Sequence, residues 1–215
     1  MVKVPALKKN SNLPNNPFYY EDQALQNGFD FIIGVDEAGR GPLAGPVVAS
    51  AIILKTRRFV AKIDDSKKIS SKEREIAFDE IWQNAYVGIG IINETVIDTV
   101  NILTATFLAM QQAIQQVVDR LPVQRKTFLL VDGNRFRTEL PYSYQTIVAG
   151  DSLSFSIACA SIVAKVMRDR ILNMYDRVFP GYGFKNHKGY PTESHRKAIK
   201  QLGHCPIHRR TFRVS

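Results

Sequence analysis

Phe31-Ile32-Ile33-Gly34-Val35-Asp36-Glu37-Ala38-Gly39-Arg40-Gly41-Pro42-Leu43-Ala44-Gly45-Pro46-Val47-Val48 reads as an apolar strand ending on two adjacent carboxylates, then a Gly-Arg-Gly turn, then a second apolar strand. Glycines let backbone N–H groups approach a ligand closely, an arginine meets a phosphate, and paired carboxylates hold a divalent cation. The same residues also suit an acidic β-turn, since Asp and Gly are ordinary turn formers. Successive strand side chains point to opposite faces, so Asp36 and Glu37 cannot both be metal ligands in a regular strand. The metal reading therefore requires Glu37 to belong to the turn, where Gly39 permits a bend.

Outward from this stretch, Phe31 to Asp36, Val47 to Leu54, Ala85 to Asn93, Thr127 to Asp132 and Tyr144 to Val148 are short apolar runs bounded by Gly, Pro or Asn, which predicts five strands. Between the third and fourth, Leu103, Phe107, Met110, Ile114, Val117, Val118 and Leu121 recur at helical spacing over Ile102 to Leu121, and Pro122 stops the helix. A helix of that length permits a crossover that makes its flanking strands parallel. Ser156 to Val178 predicts a second long helix, with Ser70 to Gln83 and Glu193 to Gln201 as shorter ones.

Asp36, Asp132 and Asp151 each stand at or just after the carboxyl end of an apolar run, each near a glycine. Ligands of open α/β sheets bind outside those ends, so three sequence-distant carboxylates can converge on one rim. Two alternatives stay open: Asp132 is also a good turn residue, and Asp151 is also a good N-cap before a long helix. On that helix Ser161, Lys165, Arg168 and Asp169 share a stripe that suits either a solvated charged face or a phosphate-facing rim, and Lys67 and Lys68 carry the same ambiguity.

With 215 residues, 45% of them apolar, the chain has enough material for one sizeable core. Lysine and arginine number 29 against 20 acids, a net charge of +9 that favours a polyanionic partner. No segment approaches a membrane span and the amino terminus lacks an apolar stretch of secretory length, so a cytoplasmic protein with no membrane partner is expected. Cys159 and Cys205 are expected to be reduced. Residues 1–28 are expected to be a flexible extension before a single domain over 29–215. His204-Cys205-Pro206-Ile207-His208 lacks the spacing of a structural zinc site, and His187 and His195 read as surface or core histidines.

The opening stretch closely resembles the signature of the type 2 ribonucleases H, the bacterial ribonuclease HII family. Further segments match in the family's order: Asp65-Ser66-Lys67-Lys68-Ile69-Ser70, Asn101-Ile102-Leu103-Thr104-Ala105-Thr106, Val131-Asp132-Gly133-Asn134, Gly150-Asp151-Ser152 leading into Ala160 to Arg170, His187-Lys188-Gly189-Tyr190-Pro191-Thr192, and Cys205 to Phe212. The resemblance covers roughly residues 30–213. It implies an α/β fold, a ribonuclease H-like five-stranded mixed sheet flanked by helices with a small C-terminal helical part. It also implies a monomeric endoribonuclease that cuts RNA in RNA–DNA hybrids and on the 5′ side of single ribonucleotides in duplex DNA, leaving 3′-hydroxyl and 5′-phosphate ends.

Carried over by motif position, the catalytic and metal-binding residues are Asp36, Glu37, Asp132 and Asp151, holding two Mg²⁺ or Mn²⁺ ions. Gly39, Arg40 and Gly41 resemble the turn whose backbone reads a ribonucleotide's 2′-hydroxyl, and Tyr190 resembles the tyrosine that stacks on the neighbouring deoxyribose. Lys67, Lys165 and Arg168 are implied to contact phosphate or scaffold. Leu153 and Cys159 depart from the family, which commonly has a basic residue and an alanine there. A type 3 ribonuclease H would carry an amino-terminal domain for which about 30 residues do not suffice. A non-catalytic nucleic-acid-binding domain would explain the charge but not the strand-end acids.

Overall fold

The computed structural model describes residues 16–122 and 125–213. Strands β1 (Phe31–Ala38), β2 (Val47–Leu54), β3 (Ala85–Ile92), β4 (Thr127–Asp132) and β5 (Ser143–Ile147) form one mixed sheet in the order β3-β2-β1-β4-β5. β2 pairs antiparallel with both β1 and β3, while β4 pairs parallel with both β1 and β5. This is the five-stranded mixed sheet expected. The crossover does leave β3 and β4 running the same way, but with β2 and β1 between them.

Helices α1 (Tyr19–Gln26), α2 (Ser71–Asn84), α3 (Glu94–Val100), α4 (Ile102–Val118), α5 (Phe155–Val178), α6 (Phe184–His187) and α7 (Glu193–Leu202) flank the sheet and form the C-terminal part. Their starts follow local chemistry. Ser70 accepts from the Glu73 N–H and Glu73 returns the bond to the Ser70 N–H, a capping box for α2. Asn93 caps α3, which is why β3 stops at Ile92.

Alternation sorts β1 between the two faces. Ile33 and Val35 join Val47, Ala49 and Ala51 under α4 with Ala109, Ala113 and Ile114. Ile32 faces the other way, with Phe128, Leu130 and Ile157 near the start of α5. Cys159 is fully buried beside Ile162 and Val163, a small core replacement, and Leu153 packs on the Ile32 cluster. Both cysteines are free thiols.

The extension expected over residues 1–28 needs correction where it is described. Residues 1–15 lie outside the described residues, but α1 docks on the sheet through a buried carboxylate. Glu21 Oε1 accepts from Ser154 Oγ at 2.6 Å, Ser156 Oγ at 2.7 Å and the Ser156 N–H at 2.9 Å. One acid anchored by the start of α5 overrides the Pro/Asn-rich composition that suggested disorder. Among the described residues no helix is long and apolar enough to cross a membrane.

Helix α4 lies close on β3 because Gly88 and Gly90 present no side chains to it. A β-carbon on Gly90 would land inside the contact radius of the Ala109 carbonyl oxygen. Gly90→Ala should therefore force α4 away from the sheet and lower stability by about 1–3 kcal/mol, seen as a thermal midpoint roughly 2–12 °C lower. An unchanged midpoint would mean that the helix is not seated by this contact.

Candidate active site

The parallel pairing of β1 and β4 aligns Val35 with Val131. The next residues, Asp36 and Asp132, therefore stand side by side at the carboxyl end of the sheet. Asp36 is buried, and its Oδ1 accepts from the Glu37 N–H at 2.7 Å. Asp132 Oδ1 accepts from the Gly150 N–H at 2.7 Å, which draws the 3₁₀ turn Gly150–Ser152, and with it Asp151, onto the same rim. The capping alternative for Asp151 is excluded: Ser154 caps α5, accepting from the Ile157 N–H.

Glu37 does not belong to a turn. It is still in β1, paired with Ala49, and β1 runs on to Ala38. Alternation consequently sends Glu37 to the α4 face with Ile33 and Val35, while Asp36 follows Ile32 to the α5 face. Both reach the cluster because it lies on the sheet's end, where the two faces meet. Glu37 Oε1 accepts from Arg40 Nη1 at 3.2 Å, and Glu37 and Asp132 line a cleft of about 250 Å³ on the α4 side.

The electrostatics are those of crowded acids. Burial, then the charges of Glu37, Asp132 and Asp151, raise the Asp36 carboxyl well above the usual range, although the Glu37 N–H works against this. Burial raises Glu37 with Arg40 opposing, and burial followed by the Asp132 and Asp65 charges raises Asp151. Lys67 Nζ lies 3.7 Å from Asp151 Oδ2 and 4.0 Å from Asp65 Oδ1. Burial pulls its ammonium down, but the surrounding carboxylates of Asp65, Asp151, Asp36 and Asp132 prevail and raise it. Asp65 is thus a fifth acid at the site. Its signal in the sequence was its place two residues before Lys67.

As a donor set, clustered carboxylates match a hard divalent cation. Among the described residues, however, no three His, Cys, Asp or Glu side chains close on one point ready to hold a metal ion. The acids form an open rim rather than a cage.

Beside the rim, Gly39 has φ +101°, and a β-carbon there would collide with Arg168 Nε. Of the two roles left open for Arg168, phosphate or scaffold contact, its bonds are those of the scaffold, and it does not face phosphate. It is 1% exposed, and its guanidinium donates to the carbonyls of Pro46 at 3.0 Å, Ala44 at 3.0 Å and Lys188 at 2.9 Å. On the same stripe Ser161 is also buried, and bonded to Ser66 Oγ at 2.8 Å. Lys165 pairs with Asp169 at 2.8 Å on the half-buried part of the same helix.

Sequence reasoning missed Arg209. Also 1% exposed, it donates to the carbonyls of Gly39 at 2.6 Å, Arg40 at 3.0 Å and Gly45 at 2.7 and 2.9 Å. Burial lowers Arg209 to about 9 and Arg168 to about 10, so both remain charged at neutral pH. Buried Glu94 supplies a negative charge felt by both. Nothing in local spacing marks an arginine whose partners are backbone carbonyls some 165 residues away.

Tyr190 stands beside the turn, 43% exposed; a β-carbon on Gly41 would lie 3.7 Å from its Cε1. The Gly189 carbonyl accepts from the Leu43 N–H at 2.8 Å, joining the two loops. Behind Tyr190 the histidines form a neutral chain. The Cys205 N–H donates to His208 Nδ1 at 2.9 Å, so the His208 proton sits on Nε2, facing His195 Nε2 at 3.1 Å; His195 Nδ1 then donates to the Tyr190 carbonyl at 2.9 Å. Burial lowers both rings, His208 to about 4. These are core histidines, not zinc ligands.

The raised carboxyl of Asp36 makes a signed prediction. A group whose folded pKa exceeds its unfolded value contributes stability below its ordinary 3.8 and loses it as pH rises through the folded value. In chelator, Asp36→Asn should therefore melt higher than wild type at neutral pH, by a margin that grows from pH 4 upward. A variant that melts lower at every pH would show that the ionised carboxylate stabilises the fold.

Comparison with known proteins gives the family and the fold. The family model for ribonuclease HII matches residues 33–215. A ribonuclease HII of Syntrophus aciditrophicus is 52% identical over 197 residues, 91% of this chain and 90% of that one. The ribonuclease H2 of Pyrococcus horikoshii superposes with TM-score 0.66 at 23% identity, covering 86% of this chain and 94% of that one. Bst-RNase HIII, crystallised in complex with Mn²⁺, gives TM-score 0.63 at 16% identity over 86% of this chain and 67% of that one. At these identities the two structures speak for the fold alone.

Proposed function

The chain belongs to the ribonuclease HII family, and on that premise we propose that it is a divalent-metal-dependent ribonuclease H. It hydrolyses RNA in RNA–DNA hybrids and cuts on the 5′ side of single ribonucleotides in duplex DNA, acting as a cytoplasmic monomer. That it is an endoribonuclease follows from the family. The finer reading rests on one observation above all: the β1–β4 register sets Asp36 beside Asp132, with Glu37 next along β1, and the bond from the Gly150 N–H to Asp132 draws Asp151 to the same end of the sheet.

In this reading Asp36, Glu37, Asp132 and Asp151 hold Mg²⁺ or Mn²⁺. An open rim suits Mg²⁺, which keeps several waters and takes only a few protein carboxylates together with substrate phosphate. Divalent ions bound there supply positive charge to the attacking water and to the leaving oxygen of an in-line displacement. The water oxygen bonds to phosphorus and gives up a proton as the bond from phosphorus to the 3′-oxygen breaks and that oxygen takes up a proton. The upstream strand is left with a 3′-hydroxyl and the ribonucleotide with a 5′-phosphate.

The chain's own groups orient the substrate. Arg168 and Arg209 occupy carbonyls of the loop after β1 and fix its path, and the N–H groups of Gly39-Arg40-Gly41 are assigned to a 2′-hydroxyl. Tyr190 offers an exposed ring to the adjoining sugar, and Arg40 stays half-exposed beside Glu37. Lys67, an exposed cation 3.7 Å from Asp151, is assigned to phosphate. Lys165, paired with Asp169, is kept as a weaker phosphate contact.

The test uses a labelled duplex holding one ribonucleotide, beside an all-DNA duplex and a continuous hybrid, with Mg²⁺ and with chelator. Cleavage 5′ of the ribonucleotide, dependent on Mg²⁺ and abolished by Asp132→Asn, is expected. Tyr190→Ala should lose roughly ten- to a hundredfold on the single ribonucleotide, the worth of a stacking contact, and less on the hybrid. Cutting in chelator would overturn the metal reading, and equal losses on both substrates would remove Tyr190 from recognition.

A further inference from the structure

The connection from β4 to β5, residues 133–142, joins parallel strands without a helix. It must travel back along the whole length of a strand, and it does so as an extended loop on the α4 side. Phe136 turns inward, 5% exposed, making edge contacts with Phe107 at 5.9 Å and Tyr144 at 5.1 Å. The Tyr144 hydroxyl donates to the Phe136 carbonyl at 3.2 Å. With Phe136 pinned inward, its neighbours Arg135 and Arg137 are turned out to solvent.

Between this loop and α4 runs a groove of about 1000 Å³, larger than the catalytic cleft. The two are continuous: Leu103, Phe107, Asn134 and Arg135 line both. Among the described residues neither Arg135 nor Arg137 has an ion-pair or hydrogen-bond partner, unlike Arg40, Arg170 and Arg125, which each meet a carboxylate. Glu139 is the one acid lining the groove. Asn134, Thr104 and Gln111 add neutral polar groups, and Tyr144 an exposed aromatic edge.

We propose that this groove carries the sugar-phosphate backbone of the duplex flanking the cut, with Arg135 and Arg137 as its phosphate contacts. The proposal rests on the nuclease reading above and extends it. Arg168 of α5 holds the loop after β1 at Ala44 and Pro46, and the Lys188 carbonyl two residues before Tyr190, whereas the groove opens on the α4 face. A duplex bound at the carboxylates therefore straddles the end of the sheet, and one flank of the substrate, not both, lies over the arginines. Two free guanidiniums and an aromatic edge suit a polyanion with stackable bases.

The experiment measures equilibrium binding of fluorescently labelled, ribonucleotide-containing duplexes in Ca²⁺ as a function of salt. Wild type is compared with Arg135→Gln, Arg137→Gln and the double variant. Full-length duplex and duplexes trimmed close to the ribonucleotide on one side or the other are used. The double variant should lower the slope of log affinity against log salt by roughly one to two, and trimming one particular flank should abolish the difference. Both arginines are exposed, so the thermal midpoint should hold and serve as the folding control. A wild-type slope in the double variant, or the same loss whichever flank is trimmed, would overturn the groove. Failure of wild type itself to bind or cleave the full duplex would instead overturn the nuclease reading.

Discussion

The parallel register of β1 and β4 is the constraint on which the site depends. Val35 faces Val131, so the two strands run out of apolar residues at the same height and each delivers an aspartate there. A slip of one residue would turn one of the two to the opposite face. The register is held by buried residues on both faces, Ile33, Val35, Leu129 and Val131 on one and Ile32, Phe128 and Leu130 on the other. Core packing thereby sets the distance between carboxylates that repel each other, and burial together with that repulsion raises the Asp36 carboxyl.

A second layer of order comes from charge buried without a close carboxylate. Arg168 and Arg209 direct their guanidinium groups at backbone carbonyls of residues 39–46 and at Lys188. Truncating either would strand carbonyls away from water, a loss larger than that of a surface ion pair. The two arginines come from α5 and from the C-terminal segment, so the loop after β1 is shaped by parts of the chain far from it in sequence. This explains how a turn of glycines keeps one conformation.

Much of this was legible in the sequence. The spans of β2 and β4 match the apolar runs residue for residue, and α4 and α5 begin within a residue of their expected starts. The strand-end aspartates were visible because an acid next to a glycine after an apolar run is a local pattern. What escaped was non-local. Helix α1 depends on Glu21 meeting Ser154 and Ser156, and Arg168 looked like a surface cation because helical spacing does not reveal which polar stripe meets a loop. Glu37 was assigned to a turn on the assumption that ligands share a face; the strand instead delivers its two acids around the edge of the sheet.

The central claim is that the carboxylate rim is a site for hard divalent cations. Titration of Mn²⁺ into wild type and Asp36→Asn, followed by the resonance of the free ion, tests it without reference to cleavage. The account predicts saturable binding by wild type that Mg²⁺ displaces, weakened by roughly tenfold or more in the variant as ligand charge is lost. Equal Mn²⁺ affinity in the two proteins would contradict it.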